Sequence, residues 1–172
     1  MKNRSARIRP GSKNSLVAFI VGEVHYAIDV QYVLQVVNPM EVTSLPDMPR
    51  AIVGVAEHRG LVVPVVDLRL LFGTTVATTR RTKWILLELG GSVAGVVVDA
   101  VTGVFGTLPE EVRPAPDLGP GEARRPVSGV TSHGGRLVFL VDGALLHEMA
   151  GPAVGAGLPA LSLQPKAEGK PR

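Results

Sequence analysis

Two stretches of this chain are written in one pattern. GVAEHRGLVVPVVDLRLLF, from Gly54, aligns without a gap with GVTSHGGRLVFLVDGALLH, from Gly129. They share Gly54/Gly129, Val55/Val130, His58/His133, Gly60/Gly135, Val63/Val138, Val66/Val141, Asp67/Asp142, Leu70/Leu145 and Leu71/Leu146. Upstream, Val33-x-x-Val36 matches Val101-x-x-Val104 at a slightly smaller offset. An internal repeat of this kind means that one supersecondary unit is built twice, and the pattern reads as two copies of a five-stranded β unit. In the first copy an apolar run from Leu61 to Val66 suits a strand buried on both faces. Pro64 removes a ladder donor, which predicts an edge strand or a bulge there. Asp67 and Asp142 each precede a short helical stretch whose first N–H groups a carboxylate can cap, and Gly73 ends the first of these helices. Where the copies differ, the fold does not require the difference. Glu57 becomes Ser132 and Arg59 becomes Gly134, so the charged turn Glu57-His58-Arg59-Gly60 belongs to one copy and is the part on offer to another molecule.

Many short apolar runs punctuated by 20 glycines and 14 prolines fill the rest of the chain and favour an all-β reading. Strands are expected at 16–21, 24–28, 35–42 with a bend at Asn38-Pro39, 84–89, 93–98, 101–108, 127–130 and 136–141. Asp29 is placed to cap a turn through Val33, and Gly90-Gly91 reads as a hairpin turn. Leu45 to Pro49 must be extended, since each proline pushes its predecessor out of the α region. Thr107 with Glu110 has capping-box spacing. Thr74 to Lys83 reads as an exposed connection, and Arg113 to Pro126 as a loop.

The sequence pI near 9.6 comes from the ends. Lys2, Arg4, Arg7, Arg9 and Lys13 precede any acid; between Asn14 and Ala150 there are 10 basic and 14 acidic residues, a balance of 10 − 14 = −4. A nucleic-acid domain would instead carry a basic face interleaved with stacking aromatics, so no nucleic-acid partner is expected. Residues 1–14 and 151–172 lack apolar periodicity and are expected to be disordered tails. Cysteine is absent, which removes disulfides and thiolate chemistry. No apolar run approaches membrane-spanning length and no export signal is apparent; the expectation is a cytoplasmic protein that is not membrane-inserted.

Chemistry is hard to find. His58 and His133 occupy equivalent places, which argues for a turn or packing role, and without a carboxylate cluster they make no metal site. Asp67 and Asp142 are explained as caps. There is no nucleophile elbow, phosphate loop, zinc-binding helix motif or dinucleotide fingerprint. The reading is therefore of a non-enzyme without cofactor or metal, a small-molecule enzyme of unknown type being the remote alternative.

Several motifs together resemble the CheW family of chemotaxis coupling proteins: Phe19-x-x-Gly22-x-x-x-Tyr26-x-Ile28-Asp29, the Leu45-Pro46 loop, Gly54-x-x-x-x-Arg59-Gly60-x-x-x-Pro64-Val65-Val66-Asp67-Leu68, Gly95-x-x-Val98-Asp99-x-Val101, and Arg113-Pro114-x-Pro116. The match is collinear over the predicted fold. The resemblance implies an all-β fold of two five-stranded SH3-like β barrels packed around a shared apolar core, with a few short helical turns. The CheW-like domain would run over 15–150, with barrel-forming halves about 15–80 and 81–150 whose strands can cross between them. It further implies a cytoplasmic adaptor joining the cytoplasmic tips of methyl-accepting chemoreceptors to the regulatory domain of the histidine kinase CheA. In that family the arginine matching Arg59 is important for receptor coupling. This chain departs from the family pattern at Gln35, where glutamate is frequent, and at Glu57-His58, where Asn-Leu is frequent. The receptor-binding candidates are accordingly Arg59, Glu57, His58 and Gln35. A scaffold of a non-flagellar pathway, controlling motility or gene expression with a dedicated kinase, is the alternative.

Overall fold

Alternating apolar residues at period two dictate strands with two distinct faces, and both faces are used. A computed structural model describes residues 13–116 and 126–150. The expectations for 1–12, 117–125 and 151–172 lie outside the described residues. The strands are β1 (Asn14–Val21), β2 (Val24–Asp29), β3 (Val33–Val37), β4 (Ile52–His58), β5 (Leu61–Asp67), β6 (Lys83–Leu89), β7 (Ser92–Val98), β8 (Ala100–Thr107), β9 (Arg113–Pro114), β10 (Val127–His133) and β11 (Arg136–Val141). Two short helices, α1 (Leu68–Leu71) and α2 (Gly143–Ala150), follow β5 and β11.

The strands form two sheets, in the orders β8-β1-β2-β11-β10-β9 and β3-β6-β7-β5-β4. The sheets are not consecutive halves of the chain, a crossing that the halves 15–80 and 81–150 left open. Hairpin β1–β2 pairs with β8 and β11 from the second copy of the repeat, and hairpin β6–β7 with β3 and β5 from the first. The two copies have exchanged their first hairpins within one chain. In each sheet the strand leading to the helix joins the exchanged hairpin in parallel, β5 to β7 and β11 to β2.

This exchange produces three apolar clusters. Leu16, Ala27, Phe105 and Val138 fill the first barrel; Ala56, Val63, Val65, Trp84 and Val97 fill the second. Between them lies the largest, with Phe19, Tyr26 and Ile28 from the first sheet against Ile85, Leu87 and Val96 from the second, closed by Leu68 and Phe72 around α1 and Leu146 on α2. Each such side chain contributes about 1.5–3 kcal/mol when fully buried, and most of the large ones lie on the shared face. The relative placement of the barrels is therefore set by the core itself.

The repeated glycines have a common physical cause. A Cβ on Gly54 would lie 2.2 Å from the Thr43 carbonyl oxygen, and one on Gly129 would lie 2.9 Å from that of Arg113. At both places a further segment crosses the outer edge of the hairpin: Thr43 bridges Val55, and β9 pairs with Gly129 and Val130. That pairing corrects the reading of Arg113 to Pro126 as loop from its first residue, because Arg113 and Pro114 close the first sheet.

Three local expectations also change. The strand expected at 35–42 is β3 and ends at Val37, since Asn38-Pro39 breaks the ladder. The carboxylate that reaches back at the end of β8 is Glu111 rather than Glu110: it accepts from the Leu108 N–H at 2.8 Å and from the Thr107 hydroxyl at 3.2 Å. Finally, β5 is an interior strand and its bulge lies elsewhere, between Ile52 and Gly54 of β4. Val55 exchanges its backbone bonds with Thr43, so its pair with Pro64 is of the non-hydrogen-bonded kind. The missing N–H of Pro64 thus faces β7, where pairing begins only at Val65.

Candidate functional site

The β4–β5 hairpin is closed by a two-residue turn. His58 pairs with Leu61, leaving Arg59 at φ 51° and Gly60 at φ 80°. Positive φ at both central residues defines the type I′ turn that matches strand twist. Gly60 adopts it freely. Arg59 does not, because its Cβ crowds the following carbonyl at a cost of about 1–2 kcal/mol. The second copy shows what the fold alone prefers there: Gly134 at φ 58° and Gly135 at φ 75°.

Glu57, Arg59, Gly60 and Leu61 are exposed and His58 is half-buried. Arg59 enters no ion pair among the described residues. Leu61, 58% exposed, sits beside the guanidinium-bearing turn; reading the run from Leu61 as wholly buried missed it. The turn therefore combines a strained cation, in no ion pair among the described residues, with an exposed apolar side chain, both features of a contact surface. Gln35 stands apart. It lies half-buried on β3, opposite Leu86, at the other edge of the sheet from β4. Its neighbours Leu34 and Val36 are exposed, at 53% and 39%. The structure brings Glu57, His58 and Arg59 together and leaves Gln35 on a second, apolar edge.

A buried ion network was not legible as such. Asp67 accepts from the Arg69 N–H, as a cap should. It also takes two bonds from the Arg69 guanidinium, Nε to Oδ1 at 2.9 Å and Nη2 to Oδ2 at 2.8 Å, with Arg69 only 3% exposed. Nη1 of Arg69 donates to the Ala77 carbonyl and lies 3.6 Å from Asp99, whose other oxygen accepts from Gly22 in the β1–β2 turn. The hydrogen bond it donates to Asp67, more than any other interaction, holds the guanidinium charged against the opposing effect of burial. This network ties α1 to the β7–β8 junction and to the β1–β2 hairpin. The repeat held the clue, since Arg69 corresponds to Ala144, where no cation is needed.

A cavity of about 660 Å³ opens at one end of the first barrel, lined among others by Lys13, Asp29, Tyr32, Thr107 and Asp142. Its carboxylates are already engaged. Asp29 accepts from the Gln31 N–H, and Asp142 from those of Ala144 and Leu145. Burial, then Asp142 and Asp29, push the Tyr32 hydroxyl above its ordinary value, so it keeps its proton at neutral pH and is no base. No group of three potential metal ligands occurs among the described residues, and no helix among them is long and apolar enough to cross a membrane.

Residues 15–150 match the family described as CheW-like domain. The chain is 35% identical over 125 residues to the chemotaxis protein CheW of Klebsiella aerogenes, covering 72% of this chain and 75% of that one. It is 34% identical over 132 residues to protein FrzA of Myxococcus xanthus, covering 76% and 81%. Among solved structures, the scaffolding protein TtCheW from Thermoanaerobacter tengcongensis superposes with a TM-score of 0.72 at 27% identity, covering 80% of this chain and 94% of that one.

Proposed function

This chain belongs to the CheW family, and on that footing we propose that it is a non-catalytic cytoplasmic adaptor coupling chemoreceptor tips to the regulatory domain of the histidine kinase CheA. The domain over 15–150 carries this activity, and the Arg59 turn is its receptor contact. One observation supports the contact above others: the turn accepts a left-handed arginine where the equivalent turn of the same chain has glycine. Backbone strain of that kind persists where the side chain has a use. Glu57 and His58 flank the guanidinium and tune which receptor it meets, while Gln35 with Leu34 and Val36 offers a second edge for the same assembly. Titrating a receptor-tip fragment into the wild type and into Arg59→Glu tests the reading. The expected result is affinity at least tenfold weaker in the variant with an unchanged unfolding transition, since reversing a contact charge is costly and reversing a solvated one is not. Equal affinities would refute it.

Similarity to protein FrzA alongside proteins named for chemotaxis favours keeping a second reading, in which the same adaptor scaffolds a non-flagellar chemosensory pathway with a dedicated kinase. Capture of partners from the native cell decides between the two, according to which kinase and receptor are retained.

A further inference from the structure

One end of the first barrel brings an arginine and two histidines together on three neighbouring strands. Arg136 opens β11 and pairs directly with His133 at the end of β10, so both side chains share a face. On the next strand His25 pairs with Val138, one step along the same face. The Arg136 Nη1 donates to Nε2 of His25 at 3.2 Å. A guanidinium has no acceptor, so in this contact the imidazole nitrogen accepts. On the other side the His133 ring lies flat on Phe105, with centroids 4.1 Å apart and planes 14° apart. Arg136 is thus oriented by one imidazole and bordered by an aromatic pair. Its side chain has no ion pair and no other hydrogen bond among the described residues. Residues 132–137 are all exposed.

The fold does not ask for Arg136 or His25, although His133 recurs as His58 in the other copy. The repeat and the matching sheet order put Leu61, Val93 and Val37 of the second barrel at the places of Arg136, His25 and Phe105. We propose that this end of the first barrel docks an acidic segment of a partner protein, with Arg136 taking a carboxylate in its fork and His25 and His133 beside it. Charge complementarity names the partner's chemistry, and exposure names its size. A single carboxylate on so open a surface gains little against solvent, so occupancy calls for several in one chain, with the His133 ring, held flat on Phe105, beside them. The site shares no residue with the Arg59 turn and stands or falls separately.

The test is a titration of the full chain with a hexaglutamate peptide, followed by amide ¹H–¹⁵N spectra, against inorganic phosphate at matched ionic strength. Saturable shifts centred on His25, His133 and Arg136 are expected, with affinity reduced at least fivefold in Arg136→Gln and in His25→Gln and unaltered in Arg59→Gln. Each variant's own spectrum reports its folding, and either of the first two suffices if the other fails. Shifts centred elsewhere, wild-type affinity in a folded Arg136→Gln, or phosphate binding as tightly as the peptide would each overturn the proposal.

Discussion

Arg59 and Gly134 hold the same backbone conformation at the same place in two equivalent hairpin turns, at φ 51° and 58°. One residue suits that conformation and the other resists it. Replacing Arg59 by glycine should therefore relieve about 1–2 kcal/mol of local strain, offset by the roughly 0.5–1 kcal/mol that glycine loses in ordering its more flexible chain. The expected outcome of Arg59→Gly is a denaturation midpoint no lower than wild type, together with loss of receptor-fragment binding. A clear fall in stability would mean that the guanidinium serves the fold.

Asp67 and Asp142 look alike in the sequence, each a cap worth about 1 kcal/mol. The buried guanidinium of Arg69 separates them. Asp142→Ala should cost that cap energy and no more. Asp67→Ala leaves a buried cation with only the more distant Asp99 to face, and breaking a buried pair costs about 3–5 kcal/mol. Chemical denaturation of the two variants side by side checks the difference; equal losses would show that Arg69 finds water once its partner is gone.

Glu111 gives a pH dependence with a definite sign. The Leu108 N–H bond, then the Thr107 hydroxyl, hold its carboxylate below the ordinary value of 4.5, with Lys13 adding to the effect. A carboxyl whose folded pKa is depressed contributes stability that is present above its unfolded value and lost as pH falls through the folded one. Unfolding curves at descending pH below about 4.5 should show this loss in the wild type. Glu111→Gln should flatten the slope in that window and leave it unaltered near neutrality.

The repeat made the hairpins, both aspartate caps and the charged turn legible, because each rests on local chemistry: turn glycines, a carboxylate before free N–H groups, a period of two. What stayed hidden is non-local. Nothing near Val21 or Val24 says that their hairpin will pair with β11 rather than with β5, since both partners offer the same apolar alternation. The burial of Arg69 stayed unread because its second carboxylate, Asp99, is 30 residues away in the chain, 99 − 69. The Glu110-for-Glu111 slip arose because Leu108, with no side-chain acceptor, occupies the cap position that the box rule reserves for a hydroxyl. At the site, Arg59, Glu57 and His58 were found by contrast between the copies, whereas the exposure of Leu61 and the separation of Gln35 depend on which strands form sheet edges.

That separation makes a prediction about specificity. Glu57 and His58 end β4, Gln35 lies on β3, and the sheet order puts three strands between them. Gln35 is level with Gly54 across the sheet, through Leu86, Gly95 and Val65. His58 lies four residues beyond Gly54, roughly 13 Å at strand rise. Substitutions that far apart, without shared partners, add to within about 0.3–0.5 kcal/mol. Replacing Glu57 by Asn and His58 by Leu removes an acid and an imidazole beside Arg59, and should shift preference from the native receptor toward one from a family-typical pathway, because rim charges reject wrong partners cheaply. Gln35→Glu should shift it by its own amount, and the triple variant by the sum of the two. Affinities of both receptor fragments for the double, single and triple variants measure this directly. A triple variant departing from additivity by more than about 1 kcal/mol would mean that one receptor helix touches both edges at once; no shift in any variant would move partner choice away from these three residues.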